Sequence, residues 1–200
     1  MHEWLGGVSR LRDAVVRGLP SEVVREAARL DRDLDHLREA PTEWQSSLQR
    51  LRRQTSRLDD GASLAEAGVV IAEMAETCGA CHESSRATTA VEAALPEPAL
   101  PADDSRAHLM QHHGWGTERM WEGLVIPSER RWIRGTTFFS MAPACEGSAM
   151  DERCAQARAL ARRAHTVTDR SGRVELLGEI LSTCAGCHAE QAGPAQLADR

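Results

Sequence analysis

The chain has 200 residues, of which 42% are hydrophobic and only 4% aromatic, and its formal charge at pH 7 is −6. This acidity argues against nucleic acid as a partner, because proteins that bind nucleic acid present a basic face. No run approaches the length of about eighteen apolar residues that a membrane helix needs, so we expect no membrane span in this chain. Abundant Ala, Leu, Arg and Glu, with no Tyr, predict an all-α protein.

The first half of the chain predicts four helices. Proline and glycine separate them at Gly18-Leu19-Pro20, at Pro41 and at Gly61. The predicted ranges are 3–17, 20–38, 42–58 and 63–84. The fourth helix carries an apolar stripe and ends in Cys78-Gly79-Ala80-Cys81-His82.

The second half repeats this pattern about 106 residues later and ends in Cys184-Ala185-Gly186-Cys187-His188. Its predicted helices cover 104–122, 127–141, 152–166 and 173–189. Three prolines in six residues make a continuous helix between the halves unfavourable. We therefore predict a first unit over 1–92, a linker over 93–102 and a second unit over 103–200.

Cys-X-X-Cys-His is the attachment signature of c-type haem. Cys78 and Cys81, or Cys184 and Cys187, lie one helical turn apart and can each add to a haem vinyl group, while the following histidine ligates the iron. A redox dithiol or a zinc site are the alternatives, but neither explains His82 and His188. The sequence therefore predicts two haem c groups, held by His82 and His188.

Two cysteines remain after haem attachment, and a disulfide between Cys145 and Cys154 is their simplest pairing. A disulfide and covalent haem both indicate an oxidising compartment. We expect a periplasmic or otherwise extracytoplasmic protein in mature or trimmed form, whose upstream signal or lipid anchor is not visible in this sequence.

A four-helix unit with Cys-X-X-Cys-His near the end of its fourth helix resembles the cytochrome c prime family, including its low-spin relatives. The resemblance implies two tandem four-helix bundles of cytochrome c prime type, each with one covalently bound haem. It also implies that the first helix of each unit supplies any distal iron ligand. Family members without such a ligand keep an aliphatic residue there and bind small gases.

The distal candidates are histidines of the two first helices. In the first unit the candidate is His2. In the second unit His108 lies 106 residues after His2 and is preferred, followed by His113 and then by His112 and Met110. Trp115, Trp121 and Trp132, and Met74, Met120 and Met141, are expected to be core residues.

These observations favour a dihaem c-type cytochrome that transfers electrons and is not an enzyme. Its partners would be redox proteins, with a membrane-bound electron-transfer complex among the candidates; whether it forms an oligomer is left open. The alternative is a haem protein that binds NO or CO at an open distal site. A haem enzyme is the weakest hypothesis, because no acid–base pair can be assigned beside an open iron.

Overall fold

The computed structural model describes residues 2–35, 40–85, 106–142 and 150–198. Within these residues the regular elements are helices and no strand occurs, which confirms the predicted all-α class. In chain order the helices are α1 His2–Val16, α2 Pro20–Asp33, α3 Thr42–Thr55, α4 Leu64–Ser84, α5 Arg106–Val125, α6 Glu129–Ser140, α7 Met150–Thr166 and α8 Arg170–Ala198.

Local sequence signals start several of these helices. Pro20 takes the first position of α2, where its fixed φ suits a helix and its missing N–H is not needed. Ser63 and Glu66 form a capping box before α4, in which each side chain accepts the backbone N–H of the other residue. Ser128 caps α6 by accepting the backbone N–H of Arg131.

The turn between α1 and α2 requires Gly18. Its φ of 68° lies in the left-handed region, which favours glycine. A Cβ at this position would also lie 2.7 Å from the backbone nitrogen of Ala189 and 2.9 Å from the carbonyl oxygen of Ala185. Gly18 therefore permits both the turn and the close approach of the α1 end to α8.

The two motif helices, α4 and α8, pack along each other in opposite directions. Ser182 donates its hydroxyl to the carbonyl of Ala65 (2.8 Å), and a Cβ on Gly178 would lie 3.0 Å from the Cα of Val69. A Cβ on Gly68 would lie 2.6 Å from the Ser182 hydroxyl oxygen. Small residues thus let the helices approach closely at the centre of the molecule.

One continuous hydrophobic core joins the helices of both halves. It contains buried side chains from all eight helices, among them Val8, Leu30, Leu51, Ile71, Met120, Trp132, Leu160 and Leu177. Burying apolar surface is the main favourable term in folding, so the two halves stabilise each other.

Some helix ends differ from the prediction. α5 continues to Val125, past the predicted end at 122, because Gly123 serves for close packing: a Cβ there would lie 2.8 Å from the backbone nitrogen of Trp132. α8 begins at Arg170 instead of 173. The predicted linker 93–102 lies outside the described residues.

The expected core residues are buried with one exception. Trp115, Trp121 and Trp132, and Met74 and Met120, are at most 4% exposed. The prediction for Met141 is wrong, since its side chain is 59% exposed. Met141 follows the last residue of α6, so its side chain is not part of the helix face that packs on the core.

Cys154 is disulfide-bonded, whereas its predicted partner Cys145 lies outside the described residues. The four motif cysteines form no disulfide. Among the described residues no helix combines the length and the apolar character needed to cross a membrane.

Candidate functional site

Each motif places two thiols on one face of a helix. Cys78 and Cys81 lie three positions apart on α4, as Cys184 and Cys187 do on α8. Burial raises the pKa of Cys78 and of Cys184 to about 12, and the second cysteine of each motif adds to the increase. The two thiols are therefore neutral near pH 7, unlike the low-pKa cysteines of dithiol redox sites.

The two motifs lie far apart because α4 and α8 are antiparallel. Ala65 lies level with Ser182, which is two residues before Cys184. Cys78 lies thirteen residues further along α4, which corresponds to about 20 Å at the rise of an α-helix. One zinc ion cannot bind both cysteine pairs across this distance.

The motif histidines are held by carbonyls of the opposite half of the chain. Nδ1 of His82 donates to the carbonyl oxygen of Val125 at the end of α5 (2.7 Å). Nδ1 of His188 donates to that of Val16 at the end of α1 (2.5 Å). A carbonyl only accepts, so Nδ1 carries a ring hydrogen, and in the neutral form of such a ring the lone pair lies on Nε2. This is the tautomer that a metal-ligating histidine needs.

Prolines after α1 and α5 keep these carbonyls available. Four residues after Val16 stands Pro20, which has no N–H to donate, and the intervening N–H groups bond to other carbonyls. Pro127 follows Val125 by two residues, and the N–H of Ser128 bonds to Gly123 instead. The ends of α1 and α5 thus leave backbone carbonyls without a helical N–H partner, and the motif histidines donate to these carbonyls.

A cavity of about 540 Å³ lies beside the second motif. Its walls come from α1, α5, α7 and α8, and Cys184, Cys187 and His188 form one of them. The cavity has the size and mostly concave, apolar character of a cofactor pocket. Two arginines, Arg12 and Arg153, border it.

Ion pairs occupy the rim of this cavity. Arg12 pairs with Glu118 (2.6 Å), and Arg153 donates Nε to Glu190 (3.0 Å). Burial raises the pKa of the Glu118 carboxyl, while the charge of Arg12 opposes that rise. The hydrogen bond to Glu190 raises the pKa of Arg153.

His113 lies in the wall contributed by α5. Its Nε2 is buried and has no hydrogen-bond partner among the described residues. The ring stacks on Phe139 with centroids 4.4 Å apart and planes 5° apart, which fixes its orientation. Burial, together with the positive charge of Arg158, lowers the pKa of His113 to about 4. A neutral imidazole with a buried, unpartnered nitrogen therefore borders the same cavity as the second motif.

The other distal candidates are placed differently. Met110 also lines the cavity, but His108 is not among its lining residues. His112 is 1% exposed and stacks on Phe138 (4.9 Å) of α6. The side chain of His2 lies outside what the structure describes. Which of them ligates iron stays a prediction, and the structure brings together His113, Met110 and the second motif.

The space beside the first motif is much smaller, about 40 Å³. Trp4 and Leu5 of α1 and Trp44 and Leu48 of α3 line it together with Cys78, Cys81 and His82. This volume is close to that of a single water molecule. A haem on the first motif therefore requires the two tryptophans to leave this packing.

Sequence reasoning missed the true correspondence of the first helices. The motifs are 106 residues apart, but Val125 follows Val16 by 109, and both carbonyls hold a motif histidine. His113 also follows Trp4 by 109 residues. Trp4 lines the space beside the first motif, and His113 lines the cavity beside the second. The pairing of His2 with His108, which assumed 106, does not match this geometry.

Comparisons with family models, with curated proteins and with solved structures find no match to this chain. The chemistry of the two sites therefore has to be argued from their geometry.

The residues of the second motif fit a covalently bound haem. They offer two thiols outside any disulfide, an imidazole whose Nδ1 is the anchored nitrogen, a cavity of about 540 Å³ and a buried histidine nitrogen on another wall. The first motif has the same donors and the same kind of histidine anchor, but not the same room.

Proposed function

We propose that the chain is a dihaem c-type cytochrome that transfers electrons in an extracytoplasmic compartment. One observation carries the proposal: both Cys-X-X-Cys-His motifs combine two cysteines that form no disulfide with a histidine whose Nδ1 donates to a helix-end carbonyl. Iron ligation through Nε2 uses this arrangement directly, whereas a dithiol redox site leaves it unexplained.

In this proposal the chain holds and orients each haem. The cysteines form thioether bonds, and His82 and His188 supply the proximal nitrogens. The carbonyls of Val125 and Val16 make these imidazoles more basic, which favours the oxidised iron. Each half contributes one haem unit of the cytochrome c prime type, although the two units share a core.

At the second site, His113 supplies the distal nitrogen. Phe139 holds its ring, and ligation provides the partner that the buried Nε2 lacks among the described residues. Arg12 and Arg153 lie at the cavity border, where their guanidinium groups would pair with haem propionates.

When bound, each haem supplies a one-electron iron couple, and the protein makes or breaks no bond in the transfer. The antiparallel α4–α8 pair keeps the two sites at a fixed separation of about 20 Å between cysteine pairs. Redox proteins, including a membrane-bound electron-transfer complex, are the proposed partners.

Intact mass of protein matured with a haem-attachment system tests the proposal. We expect the mass of the chain plus two haems, because each motif has two cysteines outside any disulfide and an anchored histidine. Replacing both cysteines of one motif, Cys78→Ala with Cys81→Ala or Cys184→Ala with Cys187→Ala, should leave one haem.

Ser84→Ala is the control, because this exposed residue of α4 follows the first motif without belonging to it, so the variant should keep two haems attached. Protein that carries no haem after export with the attachment system, or that contains stoichiometric zinc instead, would overturn the proposal.

A further inference from the structure

Glu118 is a carboxyl side chain in the wall of the second cavity, and the proposed electron transfer does not use it. It belongs to α5 and borders the cavity together with Cys184 and His188 of the second motif. Its side chain is 18% exposed, so a proton can reach it from solvent without a relay. Charges interact more strongly at such a position than in water, so the ionisation of Glu118 responds to other charges in the cavity.

Charged and titratable side chains of four helices surround this carboxyl or border the same cavity. They are Arg12 and Asp13 of α1, His113, Arg119 and Glu122 of α5, Arg153 of α7 and His188 of α8. Arg12 is the ion-pair partner of Glu118, with Nη1 2.6 Å from Oε2. Burial is the largest influence and raises the pKa of Glu118, whereas the charge of Arg12 lowers it. Glu118 is therefore easier to protonate than an exposed glutamate, although its anion has a partner.

The first site has no equivalent carboxyl. At the offset of 109 residues that relates Val125 to Val16, Ser9 of α1 takes the place of Glu118. None of the described residues that line the space beside the first motif is acidic. The two sites therefore differ in a titratable group, although their cysteines, histidines and histidine anchors correspond.

We propose that Glu118 takes up a proton when the second haem is reduced, so that the second site couples electron transfer to proton transfer through a group that the first site lacks. The inference rests on the proposed dihaem function. One electron from a redox partner protein converts the second iron from ferric to ferrous. One proton from solvent binds a carboxylate oxygen of Glu118, which becomes the neutral acid. One negative and one positive charge enter together, so the net charge of the site does not change.

The direction of the coupling follows from the charge of the iron. Reduction removes one positive charge from the cavity, which disfavours the carboxylate anion and raises the pKa of Glu118 above its value in the oxidised protein. Proton uptake occurs between these two pKa values. There the second potential falls as pH rises, by up to about 59 mV for each tenfold change in proton concentration in a one-electron couple.

Redox titrations of protein already shown by mass to carry two haems test the proposal, between about pH 5 and about pH 9. The single-haem variants described above assign each potential to its site. In the wild type the potential of the second haem should fall as pH rises. Glu118→Gln keeps an oxygen for Arg12 but cannot ionise, so it should hold at every pH the higher potential that the wild type has in acid. The first potential should be the same in both proteins at each pH.

Asp13→Asn and Glu190→Gln are the matched controls. Each neutralises an exposed carboxylate that pairs with an arginine of the same cavity, Arg12 or Arg153. Both variants should keep a second potential that falls as pH rises. A second potential independent of pH in the wild type would overturn the proposal. So would a pH dependence that Glu118→Gln retains or that Asp13→Asn abolishes.

Infrared difference spectra provide a readout that needs no variant. Reduction of the wild type should produce the C=O band of one protonated carboxyl group per chain, and Glu118→Gln should lack this band. If reduction of the wild type produces no such band, Glu118 does not take up the proton, and the dihaem function stands without this coupling. Failure of the dihaem function itself would show earlier, as missing haem mass.

Discussion

The hydrogen bond between His188 and the carbonyl of Val16 joins residues 172 positions apart in the sequence. It depends on three local features: α1 ends at Val16, Pro20 supplies no competing N–H, and Gly18 turns the chain close to α8. A residue of the first half therefore sets the environment of the second motif. In the equivalent contact, Val125 of the second half accepts from His82 of the first motif.

In the proposed dihaem protein, Gly18→Ala should perturb the second haem and not the first. A side chain at this φ costs about 1–2 kcal/mol, and its Cβ would meet the backbone of α8, so the carbonyl of Val16 must move away from His188. Losing a hydrogen bond worth about 1 kcal/mol should raise the second haem's potential by about 40 mV. Urea unfolding and a redox titration measure both effects.

Gly6→Ala is the control in the same helix. A Cβ there meets only the end of the Arg10 side chain at 3.5 Å, and alanine should stabilise α1 by about 0.5–1 kcal/mol. If Gly18→Ala changes the potential of the first haem alone, the assignment of Val16 to the second site is wrong.

At this scale the sequence identified the two motifs but not the contacts that hold their histidines. The two cysteines and the histidine of each motif follow from five adjacent letters. The carbonyl that accepts from each histidine Nδ1 cannot be predicted in this way, because tertiary packing brings it from the other half of the chain. The choice of His108 over His113 assumed one constant repeat offset, but the connection between α3 and α4 (56–63) is longer than the connection between α7 and α8 (167–169).

Among the helices, α4 has the most complete start signal. Its capping box satisfies two backbone donors, and the helix then carries the first motif at its other end. Ser63→Ala should lower the free energy of unfolding by about 1 kcal/mol, because the N–H of Glu66 loses its acceptor. Ser63→Thr keeps the hydroxyl, so its free energy of unfolding should fall by less. Denaturant unfolding of both variants measures the two values.

The capping box should also weaken in acid. Hydrogen bonds from Ser63 lower the pKa of Glu66 below 4.5, so their stabilisation is fully present above that pH and is lost as pH falls through the lowered value. The stability difference between the wild type and Ser63→Ala should therefore shrink in acid. A difference that grows as pH falls would contradict this account of the cap.

Helix number and type were predictable, because proline, glycine and capping residues separate strongly periodic segments. Individual ends were not. Gly123 reads as a helix terminator, yet α5 passes through it because Trp132 needs the space that a side chain would fill. Met141 reads as a core residue, but it lies just beyond the last turn of α6.

For the molecule as a whole, the shared core matters more than the repeat. α4 and α8 bury their faces against each other, and each motif histidine is anchored by the opposite half. The repeat in the sequence shows two similar units. It cannot show that the units exchange these contacts, since either arrangement has the same internal periodicity.

Residues 1–92 and 103–200 produced as separate chains should therefore fail to unfold cooperatively. Each would expose the apolar face that packs at the α4–α8 contact and would lack one histidine anchor. Circular dichroism during urea titration measures this, with the intact chain as reference. Mixing or co-expressing the two pieces should restore a cooperative transition.

Two pieces that unfold cooperatively alone, with haem spectra like those of the intact chain, would show that each half is an independent domain and that the shared core contributes little.

The crossed histidine anchors have the form of an isologous interface, in which residue i of one copy contacts residue j of the other and j contacts i. Two identical subunits could form this interface, but every substitution would then change both sites at once. Here one chain encodes both copies, so Trp4 and His113 can differ while the symmetric scaffold is kept. Covalent continuity thus lets two equivalent positions acquire unequal chemistry.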